Sequence, residues 1–164
     1  MYNYDYFDHN TLLSEVQVKV STKARYATRA MLELAMFERE GPMLVREISQ
    51  RTGVSEQYLE QLFTRLRAAG LVRSTRGARG GFSLVKPSDQ VKISDIVQAM
   101  EGSIAPVECV DNTDVCSRVA SCATREVWVE MKEAIDKTLN SLTLQDLAQR
   151  QELKSRESVE MYNI

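Results

Sequence analysis

No stretch of these 164 residues approaches the roughly 20 consecutive apolar residues that a membrane-spanning helix needs. The opening MYNYDYFDHNTLLSEVQ lacks the cationic and apolar regions of a secretory signal. A cytoplasmic protein with no membrane partner is therefore expected. Histidine occurs once, as His9. With no second histidine, general base or nucleophile pair to accompany a thiol, the sequence predicts that the chain is not an enzyme. Internal repeats and low-complexity tracts are absent. What is present, 43% apolar and 27% charged residues, is the balance of a packed globular fold, and the length allows one domain with an appended element.

Residues 1–17 alternate aromatic and polar residues without an amphipathic period and predict a flexible arm. From Thr22 to Glu40, Ala27, Ala30, Met31, Leu34 and Ala35 recur at helical spacing, and Gly41-Pro42 stops the run. A short helix over about 45–51 follows, then Thr52-Gly53-Val54. Ser55 next caps a longer helix with Leu59, Leu62, Phe63 and Leu66 on one face. Two helices joined by a tight Gly-containing turn are the helix-turn-helix signature. Gly70 ends the second helix, and LVRSTRGARGGFSLVK reads as a hairpin with Leu71-Val72 and Phe82 to Val85 as strands. The expected fold class is mainly α: a winged helix-turn-helix with a long C-terminal dimerisation helix. Ser94 is expected to cap a further helix ended by Gly102. From about Thr124 a long helix should carry the stripe Val127, Trp128, Met131, Ile135, Leu139 and Leu142, with the chain fraying after Leu147.

Between Arg65 and Lys86 lie Arg65, Arg67, Arg73, Arg76, Arg79 and Lys86, with no acid. In a chain of net charge −2, that run is a local footprint for phosphate. Arg76 and Arg79, among glycines on a thin wing tip, suit a narrow minor groove. The N-terminal part of the second helix would present Ser55, Glu56, Gln57, Glu60, Gln61 and Thr64 to the major groove, with Tyr58 and Arg65 completing the set. Gln57 and Gln61 can pair bidentately with adenine, Glu60 or Glu56 can accept from cytosine N4, and Glu60 can also reject sites that lack it. One winged helix reads only a few base pairs. A homodimer on double-stranded promoter DNA is therefore expected, with Trp128, Met131, Ile135, Leu139 and Leu142 as its seam.

The three cysteines are spaced C-x6-C-x5-C: Cys109, Cys116 and Cys122. An odd number cannot close into disulfide pairs, and no C-x2-C motif is present. Structural zinc takes four Cys or His ligands. The wide spacing suits a loop folding around an iron-sulfur cluster; zinc and plain buried thiols are the alternatives.

The motifs STKARYATRAMLELA, ISQRTGVSEQYLEQLFTRLRAAGLVRSTRGARGGFSL, ISDIVQAMEG and CATREVW, together with the three cysteines, resemble the Rrf2 family of bacterial winged-helix regulators. The likeness runs from about Val18 to Leu147 and is strongest to the iron-sulfur cluster regulator (IscR) branch. It implies a homodimeric regulator, mostly repressor, on a palindromic promoter site, controlling iron-sulfur biogenesis or stress genes. It also implies a cluster, typically [2Fe-2S], on Cys109, Cys116 and Cys122, delivered by the iron-sulfur assembly machinery, and places Glu60 at the family's discriminating glutamate. Two positions depart from the pattern. The histidine that serves as fourth ligand in the best-known members is Arg125 here. The acid used in a nitric-oxide-sensing branch aligns with Arg25. Guanidinium stays protonated and cannot ligate iron. The candidates for the fourth ligand are therefore His9, Glu108, Asp111, Asp114 and Glu126. Relatives without the cysteines act as clusterless repressors of cysteine-metabolism genes controlled by a protein partner, which is the alternative reading. The expected organisation is an arm at 1–17, the winged helix at 18–104, a cysteine loop at 105–124, the dimerisation helix at 125–148 and a polar tail at 149–164.

Overall fold

The computed structural model describes residues 20–77 and 80–161. The arm with His9, the wing-tip residue Arg79 and the last three residues of the tail lie outside the described residues.

Helix α1, Thr22–Met36, starts at Ser21, whose side chain accepts from the backbone N–H groups of Lys23 and Ala24. This occupies donors that a helix start otherwise leaves unpaired. Its inner stripe of Ala24, Ala27, Ala30, Met31 and Leu34 is buried. Three alanines on one face let neighbouring helices approach closely. The expected run to Glu40 is shorter: α1 ends at Met36, and a 3-10 turn over Glu38–Glu40 leads to Gly41 at φ +99°. Helix α2, Val45–Thr52, is followed by Gly53 at φ +70°, a left-handed conformation that glycine adopts without a Cβ penalty. Helix α3, Glu56–Ala68, starts at Ser55, whose hydroxyl accepts from the Tyr58 N–H. Leu59, Leu62, Phe63 and Leu66 turn inward as the spacing predicts.

Strands β1, Val72–Thr75, and β2, Gly81–Leu84, pair antiparallel with Val72 opposite Leu84 and Thr75 opposite Gly81. β1 therefore runs further toward the tip than the sequence suggested. A residue absent from the sequence reading joins the wing. Met43 pairs with Phe82 through two backbone hydrogen bonds of 2.8 Å, adding a bridge on the edge of β2 away from β1. The Phe82 ring stacks on Phe63 of α3 at 4.1 Å between centroids, fixing the wing root to the helix beside it.

Helix α4, Ile93–Glu101, begins one residue before the expected cap. Asp95 accepts from the Lys92 N–H, and Ser94, inside the helix, donates to Asn140 instead. The Glu101 carboxylate takes the Ser21 N–H and hydroxyl, tying the end of α4 to the start of α1. The cysteine segment, expected as loop, contains a single helical turn, α5, Glu108–Asp111, and 3-10 turns at Thr113–Val115 and Val119–Ser121.

The expected single dimerisation helix over 125–148 is two helices. α6 runs Ala123–Asn140 and α7 runs Leu144–Met161. The break has a capping cause: Thr143 and Asp146 bond reciprocally, the Asp146 carboxylate accepting from the Thr143 N–H at 2.8 Å and the Thr143 hydroxyl accepting from the Asp146 N–H at 3.2 Å. The tail does not fray after Leu147. Helix-favouring Gln, Leu, Lys, Arg and Glu carry α7 on to Met161.

The core gathers residues from α1, α2, α3, α4, the wing and the start of α7; Phe63, Met31, Ile96 and Leu144 are fully buried. Each such side chain contributes about 1.5–3 kcal/mol by leaving water.

Candidate DNA-reading face and cysteine segment

Burying Leu59, Leu62, Phe63 and Leu66 fixes the rotation of α3, so its other side must face outward. Ser55, Gln57, Glu60, Gln61 and Arg65 are all exposed there, together with Glu56 and Thr64. Tyr58 is different. It is half-buried, packed against the core with its ring edge-on to Tyr26 at 6.1 Å and 89°. On the wing, Arg73 donates from Nε to the Ser83 hydroxyl at 3.1 Å, pinning its side chain across the hairpin. Arg76 is exposed beside Gly77, whose φ of +111° forms the tip. Polar readers on a rigid helix and an arginine on a narrow tip can meet base edges and phosphates at once.

The cysteine segment leads directly into α6. Cys109 lies in α5, Cys116 follows the first 3-10 turn, and Cys122 is the residue before the first turn of α6. All three are free thiols; Cys116 is exposed and the other two partly so. The Cys122 sulfur lies 3.1 Å from the Thr124 hydroxyl. That hydroxyl, the N–H groups of Arg125 and Thr124, and the Arg118 charge hold the thiol below its usual range. A thiolate at the start of a helix is also where the helix dipole favours negative charge.

Arg125, standing where a ligand was sought, has another task. Its Nε donates to the Cys109 carbonyl at 3.0 Å and so ties α5 to α6. Among the ligand candidates, Asp111 accepts from Ser103, and Glu108, Asp114 and Glu126 are exposed. Among the described residues, no three Cys, His, Asp or Glu side chains converge into a metal-holding group. The donor chemistry fits an iron-sulfur cluster at three corners, since three accessible thiols sit on one short segment; the fourth corner has no assigned donor.

The apolar stripe of α6 divides. Leu139, with Leu142 just beyond the helix end, packs on the core of its own domain. Val127 is 54% and Met131 37% exposed, Trp128 and Ile135 are half-buried, and no residue of α6 is fully buried. The outer half of the helix thus carries apolar side chains that the described residues leave partly or largely uncovered.

Sequence reasoning missed Met43 in the wing and the break at Thr143. The first leaves no periodic signal. The second was legible as Thr143-x-x-Asp146, a capping pattern inside an otherwise helical run. No helix among the described residues is long and apolar enough to cross a membrane.

The model of the Rrf2 family, described as an iron-dependent transcriptional regulator, matches residues 20–150. The HTH-type transcriptional regulator CymR of Bacillus subtilis is 43% identical over 131 residues, covering 80% of this chain and 90% of its own. Its solved structure, described as that of the global cysteine regulator, superposes with a TM-score of 0.70 over 82% of this chain and 98% of that one. IscR of Erwinia tasmaniensis is 38% identical over 83% of this chain and 82% of its own. The solved T. potens IscR gives a TM-score of 0.68 at 39% identity, covering 80% of this chain and 87% of that one. The regulator likeness thus falls on IscR-type and CymR-type proteins alike, and none of these relatives is described as an enzyme. A winged helix with an exposed reading face, matched along most of its length by such proteins, places this chain in the Rrf2 family of transcriptional regulators.

Proposed function

We propose that this regulator acts as a homodimer on double-stranded promoter DNA and senses iron-sulfur status through a cluster held by Cys109, Cys116 and Cys122. The observation that carries the reading is the position of the thiols: all three lie on one segment that ends at the first turn of α6, the helix with the uncovered apolar face. When bound, the cluster supplies an oxidisable and exchangeable centre. The chain's own residues do the rest. Cys122 sits at the start of α6, Arg125 joins that start to the Cys109 carbonyl, and Ser103 joins Asp111 to the segment following α4. A change in how the thiolates are held therefore reaches both the seam helix and the domain that carries α3. Glu60, Gln57, Gln61 and Ser55 would read the major groove, and Arg76 and Arg79 the minor groove. Coupling between the two sites is the relative orientation of the two reading heads.

The test is an absorbance spectrum of the full chain purified without oxygen, with iron and acid-labile sulfide counted per chain. Charge-transfer bands with iron and sulfide in equal amounts support the reading, and Cys116→Ala should abolish both while the protein still folds. A colourless protein that stays so after reconstitution overturns it.

A second reading, a clusterless repressor of sulfur-metabolism genes controlled by a protein partner, is favoured by two observations. One is the 43% identity to CymR, and the other is the absence among the described residues of a complete donor set. Promoter binding unchanged in a variant lacking all three thiols would support it.

A further inference from the structure

Away from the reading face and the cysteines, α1, the end of α2 and the side of α7 enclose a groove of about 580 Å³. Three guanidiniums stand at it, Arg25, Arg29 and Arg51, above an apolar floor of Leu32, Met36 and Phe37. Each is held by something other than a carboxylate. Arg29 donates from Nη1 to the Thr52 carbonyl at 3.3 Å, and its Cζ lies 5.7 Å from the Tyr26 ring centroid. Arg25 flanks the same ring at 5.8 Å. Arg51 lies 3.9 Å over the Phe37 ring. An arginine placed by stacking on a ring face keeps most of its N–H edge free, and five donors in a fixed fork suit a carboxylate or phosphate. Among the described residues none of the three has a carboxylate at ion-pair distance. Among the described lining residues the one acid is Glu33, whose carboxyl burial pushes up, partly offset by the Arg51 charge.

We propose that this groove binds a small organic anion: a carboxylate or phosphate held by Arg29 and Arg51, with an apolar body lying on Leu32, Met36 and Phe37. The combination argues for a small molecule over DNA backbone. Phosphodiester contacts need cations but no apolar floor, whereas small-molecule sites of about 300–1,000 Å³ pair a mostly apolar lining with a few placed polar groups. No cysteine of this chain lines the groove. The groove meets the reading head at α2, through Arg51 and through Arg29, which holds the Thr52 carbonyl one residue before the turn that opens α3, and at Tyr26, whose ring meets Tyr58 of α3.

The test uses the ¹⁵N-labelled full chain and four probes: phenylacetate, phenyl phosphate, the neutral 2-phenylethanol and inorganic phosphate. The two aromatic anions should shift the amides of Leu32 to Phe37 and of Thr52 and Gly53 saturably. The neutral probe and inorganic phosphate should each bind about tenfold more weakly, because each lacks one half of the recognition. Arg51→Gln and, separately, Arg29→Gln should weaken the aromatic anions by about tenfold with the circular dichroism spectrum unchanged. The proposal is overturned if neither aromatic anion moves those amides, if inorganic phosphate matches them, or if the double variant binds as the parent does. It is equally overturned if the same variants only lower the salt dependence of DNA binding, which would make the arginines phosphate contacts.

Discussion

Replacing Gly81 by alanine tests how the wing is attached. A Cβ at this position would lie 2.3 Å from the Met43 carbonyl oxygen and 2.5 Å from its carbon, distances that side-chain motion cannot relieve because both atoms are backbone. The residue also sits at φ +143°, where an L side chain is strained. The strain costs about 1–3 kcal/mol. The two 2.8 Å bonds between Met43 and Phe82 contribute about 1 kcal/mol each and are lost if the segments separate. The total, about 3–5 kcal/mol, is a large part of the 5–15 kcal/mol that typically holds a domain. Gly70 is the internal control: it too has a positive φ, +71°, but a Cβ there meets nothing within 4 Å. Gly70→Ala should therefore cost only about 1 kcal/mol of backbone strain from the left-handed conformation. In thermal unfolding, Gly81→Ala should lower Tm by about 10 °C and Gly70→Ala by about a third of that. Amide exchange at Met43 and Phe82 should quicken in the first variant alone. If Gly81→Ala melts no lower than Gly70→Ala, the close backbone crossing at Met43 does not hold the wing and the reasoning fails.

The apolar side chains left uncovered on α6 should be sensitive to charge. Val127→Glu with Met131→Glu should weaken self-association by about a hundredfold, or 3 kcal/mol, in sedimentation, and an unchanged dimer would place the seam elsewhere. The Cys122 thiol, held low by Thr124 and its neighbours, should alkylate at a pH below that of an ordinary thiol in apo-protein lacking Cys109 and Cys116. Thr124→Val should move the inflection up, and no movement would refute the hydroxyl's part in it. Asp146 is held below the usual carboxylate range by the Thr143 N–H and then its hydroxyl. Its depressed folded pKa means the cap is fully formed above the ordinary aspartate range and is lost as pH falls through the folded value. A carboxyl titration by NMR should find Asp146 below free aspartate, and Thr143→Val should raise it.

Local, periodic features were the ones the sequence displayed. The inward residues of α3, Leu59, Leu62, Phe63 and Leu66, repeat at helical spacing, and Ser55 stands one residue before the run, so helix, face and cap could all be read from neighbours a few positions apart. Features made by distant partners could not. Met43 pairs with Phe82 across 39 positions because two backbones meet there, and methionine at a strand edge has no distinctive pattern. Ser94 looked like a cap because serine commonly is one; Asp95, reaching back to the Lys92 N–H, takes that role and frees Ser94 for Asn140. At the cysteines, the thiols were evident from spacing. The use of Arg125 to bind a carbonyl was not, since nothing local tells a guanidinium which oxygen it will find.

The interruption between α6 and α7 makes the cysteine segment the far end of a lever. Its pivot is bonded into the domain: the Ile93 N–H donates to the Leu142 carbonyl at 3.0 Å and the Leu144 N–H to the Val91 carbonyl at 2.9 Å, just where α4 begins. The 18 residues of α6 span about 27 Å from that pivot to Cys122. A displacement of about 2 Å at the cysteine end therefore arrives at the core as a rotation of about 4°, so the arm transmits torque rather than distance. In a symmetric pair of such arms the rotation is counted twice. Half-sites on DNA are set by angle and spacing together, so under the function proposed above a small chemical event at the tip would change the angle at which two heads meet the duplex.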